Sequence, residues 1–213
     1  MTVPDGTPRA ARPRSKHHNA RFAEPGYLFG TAPNAFLAAQ APRLERGQRA
    51  LAIADGEGRN GVWLAKQGLA VTSVDFSPVA LAKARALTDG EGVAPDFVEA
   101  DLGRWAWPEA AFDVVAAIFI QFAAPDLRTR IFRSIQAALR PGGLLLMQGY
   151  RPEQLAYATG GPPHAENMYT EDLLRASFAG MEILHLAAHD DVILEGPGHA
   201  GMSALIDLVA RKR

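Results

Sequence analysis

From residue 48 onward, short apolar runs alternate with stretches whose apolar residues recur every three or four positions. That alternation is the sequence form of a parallel sheet covered on both faces by helices. Ala50–Ala54 is the first run, and it passes at once into Asp55-Gly56-Glu57-Gly58-Arg59-Asn60-Gly61. A helical stretch follows through Gln67, with Gly68 placed to end it. Val71–Val74 is the next strand, closed by Asp75; Ser77-Pro78 then supplies an N-cap and a first-turn proline for a helix over Val79–Leu87. Asp96–Glu99 makes a short third strand. Phe112–Ile120 is continuous β-branched and aromatic sequence, as in a central strand buried on both faces.

Leu127, Ile131, Ile135 and Leu139 recur every four residues, so the next helix turns one apolar stripe to the sheet until Pro141-Gly142-Gly143 stops it. Leu144–Gln148 is the fifth strand, Gly160-Gly161-Pro162-Pro163 reads as a mobile loop, and Thr170 caps a last helix ending near Gly180. Glu182–His189 and Ser203–Ala210 are both strand-like with only a Gly-rich loop between them, so they are expected as an antiparallel pair. The predicted fold class is α/β: a doubly wound, seven-stranded, mostly parallel sheet with an antiparallel C-terminal edge hairpin.

Composition narrows the chemistry. The 213 residues suffice for one domain of ordinary size. The chain has no cysteine, which removes disulfide scaffolds, thiolate zinc sites, iron–sulfur clusters and cysteine nucleophiles. Its longest apolar run, Val114–Ile120, is far short of the roughly 20 residues of a membrane helix. The first residues carry charge but no apolar core, unlike a secretory signal. A cytoplasmic location without membrane contact is therefore expected.

Lysine and arginine (22) nearly balance aspartate and glutamate (23), except in residues 1–20, where Arg9, Arg12, Arg14 and Lys16 stand among prolines. This segment is expected to be a disordered basic tail before a single domain over 21–213. Four cations without aromatic stacking partners do not make a nucleic-acid site. His17-His18 has no further ligand at helical spacing, so no metal site is expected.

Gly56, Gly58 and Gly61 satisfy G-x-G-x-x-G between a strand and a helix, and Asp75 follows about 20 residues later at the end of the next strand. Glycines there admit a cofactor against bare backbone, and the carboxylate accepts hydrogen bonds from two ribose hydroxyls. Nicotinamide dinucleotides and S-adenosylmethionine both use such a site. Asp101 after the third strand is placed to read an adenine edge, and Phe76 to lie on an adenine face. No Tyr-x-x-x-Lys pair for hydride chemistry is found.

At these residues the chain resembles the class I S-adenosylmethionine-dependent methyltransferases, which have a Rossmann-like fold, over roughly residues 21–210. The matching stretches are Leu51–Gly68, Val71–Ala80, Val98–Leu102, Phe112–Phe122 and Leu139–Leu146. The GEGRN form and Tyr27–Asn34 (YLFGTAPN) further resemble bacterial tellurite-resistance and thiopurine-methyltransferase-like enzymes, which implies a small-molecule acceptor.

The resemblance implies S-adenosyl-L-methionine as cofactor and S-adenosyl-L-homocysteine as product. It places Gly56 and Gly58 beneath the methionine part, Asp75 at the ribose, Asp101 and Leu102 around the adenine, and Ile118 and Phe119 as walls. Tyr27 and Phe29 resemble the family's cofactor lid, with aromatic faces for a sulfonium. Asn60 belongs to the loop, while Arg59 and Arg21 offer charge to the cofactor carboxylate or to an anionic acceptor.

Ala52 stands where the family has an acid in the first strand, and Ala54 where it has the first glycine; Asp55 is expected to take over the methionine-ammonium contact.

Methyl transfer from a sulfonium is an in-line displacement that rests chiefly on positioning. A thiolate or reduced chalcogen acceptor needs no base, whereas a phenol or amine profits from one. Tyr27, Tyr150, His164, Tyr169 and His199 are the candidate bases, being on loops or predicted C-terminal strand ends; Trp63, Trp105 and Trp107 are assigned to packing. Two other functions share the fingerprint: an NAD(P)-dependent oxidoreductase and a cofactor-binding protein without catalysis. A monomer or homodimer acting on a small molecule is expected.

Overall fold

The computed structural model describes residues 19–213; of the disordered tail expected over 1–20, residues 1–18 with the His17-His18 pair lie outside the described residues, and residues 19 and 20 are helical. Residues 19–23 form a short helix (α1), followed by α2 (Ala35–Ala39) and β1 (Arg49–Ile53). Then come α3 (Arg59–Lys66), β2 (Ala70–Asp75), α4 (Pro78–Thr88), β3 (Asp96–Glu99), β4 (Phe112–Ile118) and α5 (Pro125–Ala138). The remainder is β5 (Leu139–Tyr150), α6 (Gln154–Tyr157), α7 (Glu171–Ser177), β6 (Met181–Leu194) and β7 (Ala200–Lys212). Among the described residues no helix is long and apolar enough to cross a membrane.

The seven strands lie in the order β3-β2-β1-β4-β5-β7-β6. Strands β1 to β5 pair in parallel, and β7 runs antiparallel to both β5 and β6. The hairpin expected at the edge is present, entered by its second strand: β7 pairs with β5 and leaves β6 outermost. The order reverses between β1 and β4, and the carboxyl ends of these two strands are where an open sheet of this kind forms a ligand crevice.

Residues of β4 alternate between two cores, Val115 and Ala117 toward one and Val114, Ala116 and Ile118 toward the other. The central position read from its uninterrupted apolar sequence is therefore observed. The stripe of α5 buries Ile131, Phe132, Ile135 and Ala138. Ser77 caps α4 by accepting from the Ala80 amide at 3.2 Å, and Thr170 caps α7 through Leu173 at 3.2 Å. Trp105 and Trp107 pack on one core and Trp63 on the other.

Most strand boundaries differ from the sequence reading by a residue or more, β6 running on to Leu194 where His189 was expected. Strand β4 stops at Ile118 because Phe119 adopts a left-handed backbone (φ 52°). Strand β5 begins at Leu139 rather than Leu144, since Leu139 already pairs with Phe112 and the Pro141-Gly142-Gly143 stretch is absorbed as a register irregularity. The helix already ends at Ala138 with Leu139 as its C-cap, so the proline and glycines expected to stop it lie inside the strand.

Gly58 is the N-cap of α3 with φ 86°, and a Cβ there would lie 2.6 Å from the Ala84 Cβ of α4. Both the backbone conformation and the approach of the two helices require glycine. Gly58→Ala is expected to lower stability by about 1–3 kcal/mol, from left-handed strain plus overpacking, as measured by urea denaturation.

Candidate functional site

The segment joining β1 to α3 is built on backbone that ordinary residues avoid: Ala54 (φ 47°), Gly56 (φ 57°) and Gly58 (φ 86°) are all left-handed. A non-glycine residue in that region costs about 1–2 kcal/mol and persists where surrounding contacts enforce it. Here two buried acids do so. Asp75 at the end of β2 accepts from the Gly56 amide through Oδ2 and from the Ser77 amide through Oδ1, both at 2.9 Å. Asp55 accepts through Oδ2 from the Gly61 amide (3.0 Å) and the Ser73 hydroxyl (2.8 Å).

Asp55 therefore folds back onto the first turn of α3 and onto β2, whereas the sequence suggested an ammonium contact. Burial raises its pKa to about 7 against the ordinary 3.8, despite the lowering effects of the Ser73 and Gly61 bonds. Burial likewise raises Asp75, opposed by the Ser77 and Gly56 amides.

A lid crosses this loop. Glu57, between the two glycines and only 3% exposed, accepts from the Leu28 amide at 2.7 Å and pairs with Lys83 at 2.9 Å. Lys83 also donates to the carbonyls of Glu24 and Gly26 at 2.7 and 2.6 Å, and the Tyr27 hydroxyl donates to the Lys83 carbonyl at 3.3 Å. The Asn60 side chain accepts from the Asn34 amide at 3.0 Å. On its other side the lid meets the β6–β7 connection, where the Gly198 amide donates to the Leu28 carbonyl at 2.8 Å.

Arg59, expected to serve a ligand carboxylate, instead makes a nearly buried 2.6 Å pair with Glu195. Burial alone would raise Glu195, but the neighbouring His199 and Arg59 bring it down to about 2.

Aromatic rings fill the space between the glycine loop and that connection. A Cβ on Gly56 would stand 3.5 Å from the Phe22 ring, so the loop's bare backbone faces an aromatic side chain of α1. Phe22 meets Phe29 edge-on at 6.3 Å, and Phe29 lies 4.4 Å from the His199 ring. His199 is 4.5 Å from Phe119 and 5.8 Å from Tyr150, and Phe119 is 4.7 Å from Tyr150. Ile118 is buried at the end of β4.

The predicted cofactor residues Gly56, Gly58, Asp75, Ile118 and Phe119 thus sit at the carboxyl ends of β1, β2 and β4, and Tyr27 and Phe29 lie in the lid above. Phe76 is half-buried beside Asp75. Leu102 is buried, and Asp101 is exposed with its Oδ1 accepting from the Gly103 amide at 2.9 Å.

The five candidate bases separate. Tyr150 and His199 meet around Phe119, and Tyr27 belongs to the lid. Tyr169 is buried in the main core against Phe132. His164 is 65% exposed on the surface, 4.0 Å from Glu166. Burial raises the Tyr150, Tyr169 and Tyr27 hydroxyls and lowers His199, the latter opposed by Glu195.

Sequence reading passed over Glu57, Lys83 and a polar chain beneath the lid. In that chain Asn34 donates to Gln148 (2.7 Å) and Glu195 (2.9 Å), Gln148 donates to Asp207 (2.7 Å), and His189 lies 2.9 Å from Asp207. The available signal was a polar residue inside an apolar strand, Gln148 after Leu144–Met147 and Asp207 within Leu205–Val209. Beside this chain lies a cavity of about 510 Å³ lined by Phe29, Phe36, His189, Glu195 and Leu205 among others, of a size usual for small-molecule sites.

Comparison with known proteins bears on this crevice. Residues 50–143, from β1 through the glycines after α5, match the family described as a methyltransferase domain. A curated relative, protein-L-isoaspartate O-methyltransferase of Anaeromyxobacter dehalogenans strain 2CP-1, is 35% identical over 109 residues. That match takes in 51% of this chain and 49% of the relative, so the chain spans about half the length of the curated relatives it matches. Two solved structures share the fold. TehB from Haemophilus influenzae has a TM-score of 0.69 at 15% identity, covering 94% of this chain and 67% of that one. Burkholderia thailandensis 1,6-didemethyltoxoflavin-N1-methyltransferase, solved with bound 1,6-didemethyltoxoflavin and S-adenosylhomocysteine, gives 0.59 at 23% identity, covering 83% of this chain and 76% of that one.

Two outcomes follow from the site's electrostatics. Between about pH 4 and pH 7 the folded chain holds the Asp55 proton that the unfolded chain has released, so this group's contribution to stability falls as pH rises through that window and is level above it. Asp55→Asn, which keeps an acceptor for Gly61 and Ser73, is expected to flatten that decline in urea midpoints measured from pH 4 to 8. Glu57→Ala leaves the Leu28 amide without its acceptor and is expected to speed proteolytic cleavage in residues 24–30 on the order of tenfold.

Proposed function

We propose that this chain, a class I S-adenosylmethionine-dependent methyltransferase by its fold and by the methyltransferase domain over residues 50–143, moves a methyl group onto a small-molecule acceptor. The observation that carries this reading is the β1–β4 reversal, where the bare backbone of Gly56 is bound by Asp75 of the neighbouring strand end and a lid is tied to the loop itself. The insertion of antiparallel β7 beside β5, together with the domain match, favours a sulfonium donor over a pyridine dinucleotide.

The residues fit the cofactor. Asp75 accepts from backbone amides, Gly56 on one oxygen and Ser77 on the other with Phe76 contributing, and a carboxylate's roughly four lone-pair sites leave room for a ribose hydroxyl. Phe76, Asp101 and Leu102 frame the adenine, and Ile118 and Phe119 form the wall. When bound, S-adenosylmethionine supplies an electrophilic methyl on a cationic sulfur. Phe22, Phe29 and Phe119 bring aromatic surface close to the glycine loop and the end of β4, and aromatic surface stabilises a cation without fixing it by a counter-charge. Asp55 and Arg59 act at one remove, the first holding the start of α3 and the second holding Glu195 under the lid.

The lid is fastened on both flanks, to Glu57 and Asn60 on one side and to Gly198 on the other, which shields the reacting atoms from water. A covered cleft with a cavity of about 510 Å³ alongside suits a small acceptor better than a polypeptide.

Isothermal titration tests the donor. S-adenosylhomocysteine is expected to bind and NADH not to. Asp75→Asn, with its fold checked by circular dichroism, should weaken S-adenosylhomocysteine about 10–100-fold, because hydrogen bonds to a charged acceptor are lost. Binding of NADH in its place would overturn the reading.

A further inference from the structure

We propose that His199 is the proton acceptor of the reaction and that the acceptor is protic, a phenol or an amine, held between His199 and Tyr150. This inference rests on the methyl-transfer reading above. Its starting point is a pair of orphaned polar atoms: the Tyr150 hydroxyl and His199 Nδ1 are buried and have no hydrogen-bond partner in the structure. Tyr150 is 2% and His199 8% exposed, and both pack against Phe119, the residue that walls the crevice. Buried polar atoms are almost always satisfied, so the Tyr150 hydroxyl, whose ring lies 5.8 Å from that of His199, marks the place of a polar group the protein binds, while Nδ1 of His199 is the ring nitrogen nearest Glu195.

The surroundings give each atom a role. His199 Nδ1 faces Glu195 Oε2 at 3.8 Å, a separation that tightens to a hydrogen bond with a small shift, as catalytic pairs do on loading. A carboxylate on that side favours the tautomer with the proton on Nδ1 and the lone pair on Nε2. Glu195 is in turn fixed by Arg59 at 2.6 Å, by the Asn34 side chain at 2.9 Å and by the Ala35 amide at 3.2 Å, so the group orienting His199 is itself immobile.

The charged and titratable groups facing His199 are Glu195 on its own connection, Arg59 of α3, Arg21 of α1 and Tyr150 of β5. Burial and the two arginines lower its pKa while Glu195 raises it, the net being a neutral imidazole able to take a proton. Tyr150, whose pKa burial raises, stays a phenol and donates to the acceptor heteroatom.

The step balances without a co-reactant. The bond between the acceptor oxygen or nitrogen and the methyl carbon forms as the carbon–sulfur bond breaks, and that bond's electron pair stays on sulfur. The acceptor's proton passes to His199 Nε2, and Glu195 faces the imidazolium until solvent removes the proton. Nothing is oxidised or reduced.

The test uses the full chain with radiolabelled S-adenosylmethionine and three probes: catechol, benzylamine and thiophenol. Catechol or benzylamine is expected to be methylated. His199→Ala should lower kcat on that probe by about 100-fold or more and abolish the acidic limb of its pH profile. S-adenosylhomocysteine affinity should stay within threefold. His199→Gln, which keeps a polar side chain there, serves as the second variant if the alanine form is unstable, and Glu195→Gln should move the acidic limb to lower pH.

A readout independent of turnover is the imidazole nitrogen spectrum of His199 in the S-adenosylhomocysteine complex, whose Nε2 signal should shift on adding catechol or benzylamine. Methylation of thiophenol alone, no methylation of any probe, or an acidic limb unchanged in both His199 variants overturns the proposal. Failure of the wild-type chain to bind S-adenosylhomocysteine sinks the underlying donor reading instead.

Discussion

Two carboxylates in the dark set the geometry of everything around the crevice. Asp75 and Asp55 each grip a main-chain amide of the turn between β1 and α3, one at Gly56 and one at Gly61. With the Asp55 amide's bond to the Val74 carbonyl at 3.3 Å, they hold the turn in which Ala54 is left-handed, a conformation alanine gains nothing locally by adopting. The two acids differ in what remains. Asp55 is engaged on a single oxygen by two internal donors and faces desolvation, which is why its proton is held so tightly. Asp75 divides its bonds between two oxygens at the sheet's end, leaving capacity toward the crevice.

The lid and the hairpin are joined to that turn by groups that would be expensive to bury singly. Glu57 and Lys83 neutralise one another, as do Arg59 and Glu195, and Asn34 links the second pair to Gln148 and Asp207. Breaking a buried pair by removing one member leaves an uncompensated charge, so such contacts act together or not at all. The glycine turn, the lid and the β6–β7 connection therefore behave as one polar unit roofing an aromatic interior. That arrangement places His199 and Phe29 in contact although 170 positions separate them, as their 4.4 Å ring distance shows.

What could be read from the chain and what could not divide along local and distant contacts. Capping at Ser77 and Thr170, the stripe of α5 and the doubly buried β4 are consequences of residues near one another in sequence, and each was legible. The G-x-G-x-x-G turn and Asp75 were legible for the same reason, being a local pattern plus one expected spacing. The extension of β5 back to Leu139 was not, because it depends on pairing with Phe112 across the sheet, and a proline-glycine stop ends a helix by local means only. Asp55 and Arg59 were legible as loop residues, but their partners in the structure, Ser73 and Glu195, were not, because these come from chain segments far away. Glu57 was hidden in plain view inside the glycine pattern, since an acid between two glycines looks like a solvated turn until a lid is laid over it.

The position of β7 has a consequence for how the molecule is made. Of the seven strands it is the last to leave the ribosome, yet it lies between β5 and β6. During translation β6 is synthesised with no neighbour to pair with, and the outer flank of β5 stays uncovered until β7 threads between them. Such late, non-local strand pairing is slow and leaves apolar edges open to neighbouring nascent chains. The parallel half carrying the glycine turn can assemble early, but the roof over it is completed only after β7 has emerged.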